Sequence, residues 1–125
     1  MKDEKIPIFV YGSLKKGYTL NDLLNNAEFL GNAELEGYDL YEMERYPYPI
    51  IIEGEHSVMG EVYLVDYTTL CSLNRMECNS GYFSNKKEVT LIDFSKRKAL
   101  FWYVYRLPDK IKCTFKPDGN WNPKK

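Results

Sequence analysis

Two places in the chain carry residue types that can do chemistry, and the first is a glycine-framed turn. An apolar segment, Ile6 to Tyr11, runs into Gly12-Ser13-Leu14-Lys15-Lys16-Gly17, and a short helix is expected after it. A strand, a glycine loop and a helix start suit an anion, because the loop N–H groups converge and the helix N-terminus adds positive partial charge. A carboxylate or a phosphate fits that arrangement, and a plain turn fits the spacing equally well. Gly12 and Gly17 also imitate the spacing of a nucleotide phosphate loop, and Val62-Tyr63-Leu64-Val65-Asp66 imitates the strand that accompanies one. Yet Gly17 is followed by Tyr18-Thr19, so the lysine and the magnesium-binding hydroxyl of such a loop are displaced. The chain also lacks the alternation of strands and helices that a parallel nucleotide-hydrolase sheet needs.

The second place is Glu77. On a helix beginning after Asp66, residues Leu70, Leu73 and Glu77 are spaced i, i+3, i+7 and share the apolar face. Glu77 falls in the last turn, partly desolvated and near the negative end of the helix dipole. Both effects disfavour the anion and raise the carboxyl pKa. That is the direction a general base working near neutrality requires. The competing reading is a structural glutamate that reaches solvent or pairs with a lysine at the helix end. Among the other acids, Glu61 is expected in a strand, pairing across it, while Glu53 and Glu55 flank a glycine turn with His56 as a loop residue beside them. His56 is the single histidine, so Ser-His and Cys-His nucleophile schemes have no other imidazole to use. Cys71, Cys78 and Cys113 are odd in number with no C-x-x-C pair, which indicates neither a disulfide framework nor a zinc site. Cys71 and Cys78 read as small helix-packing residues, with no basic partner to make a thiolate.

The elements that must position these groups can be read in outline. Ile6, Ile8 and Val10 alternate with Phe9 and Tyr11, so the first strand is apolar on both faces, as a covered central strand is. Thr19 with Asp22 resembles a capping box, Leu20, Leu23 and Leu24 supply the stripe of a short helix, and Asn25-Asn26 its stop. From Ala27 to Met43 strands are expected, broken by a bulge or bend at Gly31 and Gly37. Tyr46-Pro47-Tyr48-Pro49 reads as a rigid extended loop, Ile50 to Ile52 as a short strand and Val58 to Val65 as another. Asp66 is a good N-cap for a helix from Tyr67 to Met76. Glu88 to Asp93 and Ala99 to Arg106 form a hairpin about Phe94 to Arg97, with Ala99, Phe101, Tyr103 and Tyr105 on one face. Several strands against two short helices give an α+β fold with a mixed, mostly antiparallel β-barrel. A single domain over residues 1–125 is expected, with a loop-rich C-terminal tail over 107–125.

Composition excludes several classes of protein. The hydrophobic fraction of 44% supports a real core. Lysine plus arginine number 17 against 18 acids, so no nucleic-acid partner is expected, and Lys96-Arg97-Lys98 reads as a solvated turn tip. No apolar stretch approaches the roughly 20 residues that span a bilayer, and the mixed charges of Met1-Lys2-Asp3-Glu4-Lys5 are not those of a signal peptide. No membrane partner and a cytoplasmic location are therefore expected, while the oligomeric state is not legible. Eleven tyrosines and six phenylalanines fit a β-rich fold with an aromatic-lined pocket, and strand packing alone accounts for them too.

Taken in order, these residues resemble the γ-glutamylcyclotransferase superfamily, which includes the γ-glutamylamine cyclotransferases and the AIG2-like proteins. The resemblance rests on Phe9-Val10-Tyr11-Gly12-Ser13-Leu14, Tyr48-Pro49-Ile50, Gly60-Glu61-Val62-Tyr63 and Leu73-Asn74-Arg75-Met76-Glu77. It continues through Gly81-Tyr82-Phe83, Ala99 to Tyr105 and Gly119-Asn120-Trp121. It implies a barrel whose Tyr11, Gly12, Ser13 and Leu14 loop binds substrate opposite Glu77, the catalytic base. The implied reaction cyclises a γ-glutamyl group to 5-oxoproline and releases an amine, with a γ-glutamylamine as the expected substrate and neither metal nor cofactor required. Tyr82 and Tyr103 are expected to line the pocket, with Tyr103 open to a second reading as a core strand residue. Asn74 and Asn120 depart from the family, which commonly has aspartate at both. The alternative of a different class is a non-catalytic binding protein that keeps the barrel and its pocket.

Overall fold

The computed structural model describes residues 5–18, 20–44 and 49–121. The capping residue Thr19, the Tyr46-Pro47-Tyr48 segment, Met1 to Glu4 and the chain beyond Trp121 lie outside the described residues. In chain order the elements are β1 (Ile6–Val10), a 3₁₀ turn (Asn21–Leu24), β2 (Glu28–Met43), β3 (Pro49–Val65), α1 (Tyr67–Asn79), β4 (Phe83–Leu91), β5 (Lys96–Tyr103) and β6 (Cys113–Phe115). Strands pair in the order β3-β1-β5-β4-β2, and β2 pairs back onto β3, so five strands close a barrel. Short β6 adds to β2. Among the described residues only the β1–β5 contact is parallel. The β4–β2 seam is short, made at Thr90 and Leu91, and β6 covers part of the β2 edge that the seam leaves open.

The alternation in β1 decides what goes inside. Phe9, and Tyr11 just past the strand, point into the barrel with Leu35, Tyr38, Ile51, Val62 and Phe101. Ile8 and Val10 point outward and pack with Val65, Trp102 and Leu73 of α1. One strand thus supplies both cores, as its two apolar faces require. Helix α1 starts where Asp66 Oδ1 accepts from the Thr69 N–H at 2.7 Å, satisfying one orphan donor of the first turn. It buries Leu73, with Leu70 and Met76 packed beside it.

Four expectations are corrected. The second helix is only a four-residue 3₁₀ turn, with Leu20 at its N-cap position and no side-chain cap; Leu24 is buried and Leu23 exposed. Ile50 to Ile52 and Val58 to Val65 belong to one strand, because Gly54 makes no turn. A Cβ at Gly54 would overlap the Asp39 carboxylate, so glycine there answers a close cross-strand approach. His56 therefore lies in β3, not a loop, with Nδ1 2.9 Å from Asp39 Oδ1. Cys71 and Cys78 are exposed; seven residues apart, they share the helix face away from Leu73. The breaks expected in β2 do occur, as register shifts at Phe29/Gly31 and Glu36/Tyr38.

The β4–β5 hairpin turns through Phe94, whose φ of 71° is left-handed and whose side chain is 85% exposed. A phenylalanine pays a steric cost there that glycine does not, and its ring gains no burial in return. Phe94→Gly is expected to raise the unfolding free energy by roughly 0.5–1 kcal/mol, after allowing for glycine's greater backbone entropy. Urea denaturation monitored by tryptophan fluorescence measures it.

Candidate active site

A cavity of about 260 Å³ opens where β1 ends, between the loop that follows it and the last turn of α1. Tyr11, Gly12, Ser13 and Leu14 form one side; Glu77 and Tyr82 form another. The sequence separates these groups by more than sixty residues, and the barrel brings them to one volume.

Each side is held by identifiable contacts. The Tyr11 hydroxyl donates to the Trp102 carbonyl at 2.6 Å, pinning the end of β1 to β5. The loop then turns with Lys15 N–H donating to Gly12 O at 2.9 Å, and Leu20 N–H donating to Ser13 O at 2.9 Å. From outside, Asn21 Nδ2 donates to Leu14 O at 2.8 Å, and Glu61 Oε1 accepts from the Lys16 N–H at 2.9 Å. The Ser13 and Leu14 N–H groups donate to no acceptor among the described residues. Gly12 is required by packing: a Cβ there would come 2.8 Å from Pro49 Cδ. The same Pro49 offers its carbonyl to the Tyr82 hydroxyl at 2.8 Å, so loop, β3 and Tyr82 are braced together.

The other side depends on how α1 ends. Tyr82 N–H donates to Glu77 O at 3.0 Å, and Gly81 N–H to Cys78 O at 3.1 Å. These are the two bonds of a Schellman motif, with Gly81 in the left-handed position at φ 92°. The motif folds Tyr82 back over the turn that carries Glu77. A Cβ at Gly81 meets nothing within 4 Å, so Gly81→Ala isolates the backbone strain. It is expected to cost about 1 kcal/mol of stability, read from the midpoint of chemical denaturation.

Burial pushes the Glu77 carboxyl up to about 7. The helix dipole, the second cause argued from sequence, has a smaller part to play, because the terminal carbonyls of Met76, Glu77 and Cys78 already accept backbone bonds. Burial also raises the Tyr11 phenol well above its usual range, with Tyr82 and Glu77 adding charge repulsion. Around neutral pH the site thus holds a carboxyl near half ionisation beside the Tyr11 phenol, which keeps its proton.

Of the sequence-predicted residues, Tyr11, Gly12, Ser13, Leu14, Glu77 and Tyr82 all border the cavity. Tyr103 does not: it lies inside the barrel, its ring 5.9 Å from that of Tyr38 and 6.2 Å from that of Phe101. The core reading of Tyr103 is the placement found. Its neighbour Trp102, on the opposite strand face, borders the cavity instead. Strand alternation was the signal that could have found it, once Tyr103 was assigned inward. The two asparagines both accept hydrogen bonds: Asn74 Oδ1 from Trp102 Nε1 at 2.9 Å, and Asn120 Oδ1 from Lys15 Nζ at 3.2 Å. Among the described residues no group of three or more His, Cys, Asp or Glu side chains is arranged to hold a metal ion, and no helix is long and apolar enough to cross a membrane.

A small closed barrel with a glycine loop facing a desolvated glutamate is a recognisable kind of pocket protein. The profile of the family described as Gamma-glutamyl cyclotransferase, AIG2-like matches residues 8–123. The Gamma-glutamylcyclotransferase family protein YtfP of Escherichia coli is 33% identical over 115 residues, covering 91% of this chain and 94% of its own. A crystal structure from Pyrococcus horikoshii superposes with a TM-score of 0.71 at 32% identity, over 92% of this chain and 88% of that one. The mouse AIG2-like protein shares the fold, with a TM-score of 0.77 at 22% identity over 97% of each chain. The chain belongs to the γ-glutamylcyclotransferase, AIG2-like family.

Proposed function

We propose that this protein is a γ-glutamylcyclotransferase of the γ-glutamylamine type, cyclising a γ-glutamyl group to 5-oxoproline with release of an amine. The observation that carries the reading is the half-buried Glu77 carboxyl, raised to about 7, facing the Tyr11 to Leu14 loop across one cavity. The Ser13 and Leu14 N–H groups hold the glutamyl head, and Tyr11 and Tyr82 supply neutral walls. Glu77 takes a proton from the substrate α-ammonium. The freed nitrogen attacks the γ-carbonyl carbon, and the bond from that carbon to the amine nitrogen breaks. The protonated Glu77 gives its proton to the departing nitrogen, then takes the second proton from the ring nitrogen and passes it to the same amine, so the lactam N–H and a released ammonium account for every atom. The attack is intramolecular, so the site's work is to fold the substrate into a reactive shape and move two protons from the attacking to the departing nitrogen. Nothing in the step calls for a metal or nucleotide. The three cysteines are free, as suits a reducing cytoplasm.

The test is incubation with γ-glutamyl amines, γ-glutamyl dipeptides and γ-glutamyl-ε-lysine while 5-oxoproline is measured. Release from the amines above that from the dipeptides supports the assignment. Product from the dipeptides alone keeps the chemistry and moves the substrate. No product from any of them favours a binding protein of the same fold.

A further inference from the structure

Lys15 stands out as a buried cation. It is 7% exposed and is the sole charged residue among the described buried ones. Burial lowers its pKa, with Glu61 acting in the opposite direction. Its ammonium donates to Trp121 O at 3.0 Å and to Asn120 Oδ1 at 3.2 Å, and lies 5.5 Å from the centre of the Tyr18 ring. Tyr18 in turn packs on Trp121 at 5.3 Å. Trp121 is itself 4% exposed and part of the barrel core. Gly119, two residues earlier, accepts from the Met59 N–H at 2.7 Å and ties the same segment to β3.

A lysine loses rotamer freedom and hydration on burial, and these costs are offset only by bonds that need its charge. Both acceptors belong to the C-terminal segment, while the lysine follows Leu14 in the loop. We propose that Lys15 is a positioning residue: it holds the Tyr11 to Leu14 loop in its binding shape by anchoring it to Asn120 and Trp121. The loop is braced outside by Glu61 and Asn21 and inside by this lysine, so the C-terminal segment is a working part of the site. The inference rests on the proposed reaction only in treating that loop as the substrate loop. Asn120 makes it specific, because it gives the ammonium a neutral acceptor where an aspartate would give a counter-ion.

The experiment compares full-length wild type, Lys15→Met, Lys15→Arg and Asn120→Asp by amide hydrogen exchange and by steady-state 5-oxoproline release. In Lys15→Met the Leu20 amide, which bonds Ser13 O, is expected to exchange about 10–100-fold faster, the equivalent of losing hydrogen bonds to a charged group. The Val104 amide, bonded to Ile51 O across the barrel, is expected to keep its wild-type rate. KM is expected to rise about tenfold with kcat within about twofold, as for lost positioning rather than lost chemistry. Lys15→Arg restores part of both effects, and Asn120→Asp slows the Leu20 exchange below wild type. Equal acceleration at Leu20 and Val104, or wild-type exchange and KM in Lys15→Met, overturns the proposal. Should Lys15→Met fail to fold, Asn120→Asp with unchanged Leu20 exchange overturns it. A wild-type protein that releases no 5-oxoproline sinks the reaction assigned above, and the exchange measurement still decides the role of Lys15.

Discussion

Glu77→Gln is expected to lower kcat for 5-oxoproline release by about 10²–10⁴-fold, the usual contribution of a positioned general base. The amide has nearly the same shape as the acid and keeps the packing around Met76 and Tyr82, so KM should stay close to that of wild type. Wild-type kcat/KM is expected to climb through pH 7 as the carboxyl ionises, because only the carboxylate can accept the α-ammonium proton. The mutant should lack that limb. Undiminished turnover in Glu77→Gln, or a rising limb that survives in it, removes Glu77 as the base.

The same carboxyl should leave a mark on stability that needs no substrate. Its pKa is about 7 in the fold against an ordinary 4.5, so between those values the folded state holds more protons than the unfolded one. Unfolding free energy therefore falls as pH rises across that window. The group's contribution is fully present below about 4.5 and gone above about 7. The difference corresponds to at most about 3 kcal/mol. Glu77→Gln has no proton to lose, so it is expected to match wild type at the acid end and exceed it above pH 7. Urea denaturation at three pH values checks this, and a mutant-to-wild-type difference that is flat with pH would show a solvated carboxyl. Gaining stability while losing turnover is the pattern expected of a carboxylate kept partly desolvated for its chemistry.

Local periodicity made β1, α1 and the Asp66 cap legible from sequence, since each depends on neighbours within a few residues. Gly54 reads as a turn because a glycine beside a close Asp39 carboxylate looks the same in sequence as one in a turn. Cys71 and Cys78 were assigned to packing by residue type, whereas helix phase places them opposite Leu73. Within the site, the loop and Glu77 could be found because a glycine-framed turn and a carboxyl on an apolar helix face are each unusual on their own. Trp102 follows only once Tyr103 is placed inward, and Lys15 carries no local signal. Which face of β5 meets the loop depends on the parallel pairing of Ile8 with Leu100, and what buries Lys15 is a carbonyl 106 residues away.

That parallel seam has a consequence for the order in which the protein becomes competent. A parallel pair cannot be made by a tight turn, and contacts this distant in sequence form late because loop closure must precede their reward. The Tyr11–Trp102 bond spans 91 residues. A nascent chain on the ribosome holds the glycine loop and the glutamate before it holds β5, which pins the end of β1 beside them. Ligand capture is thus reserved for the finished barrel, and a ligand added during refolding should report seam closure rather than early collapse.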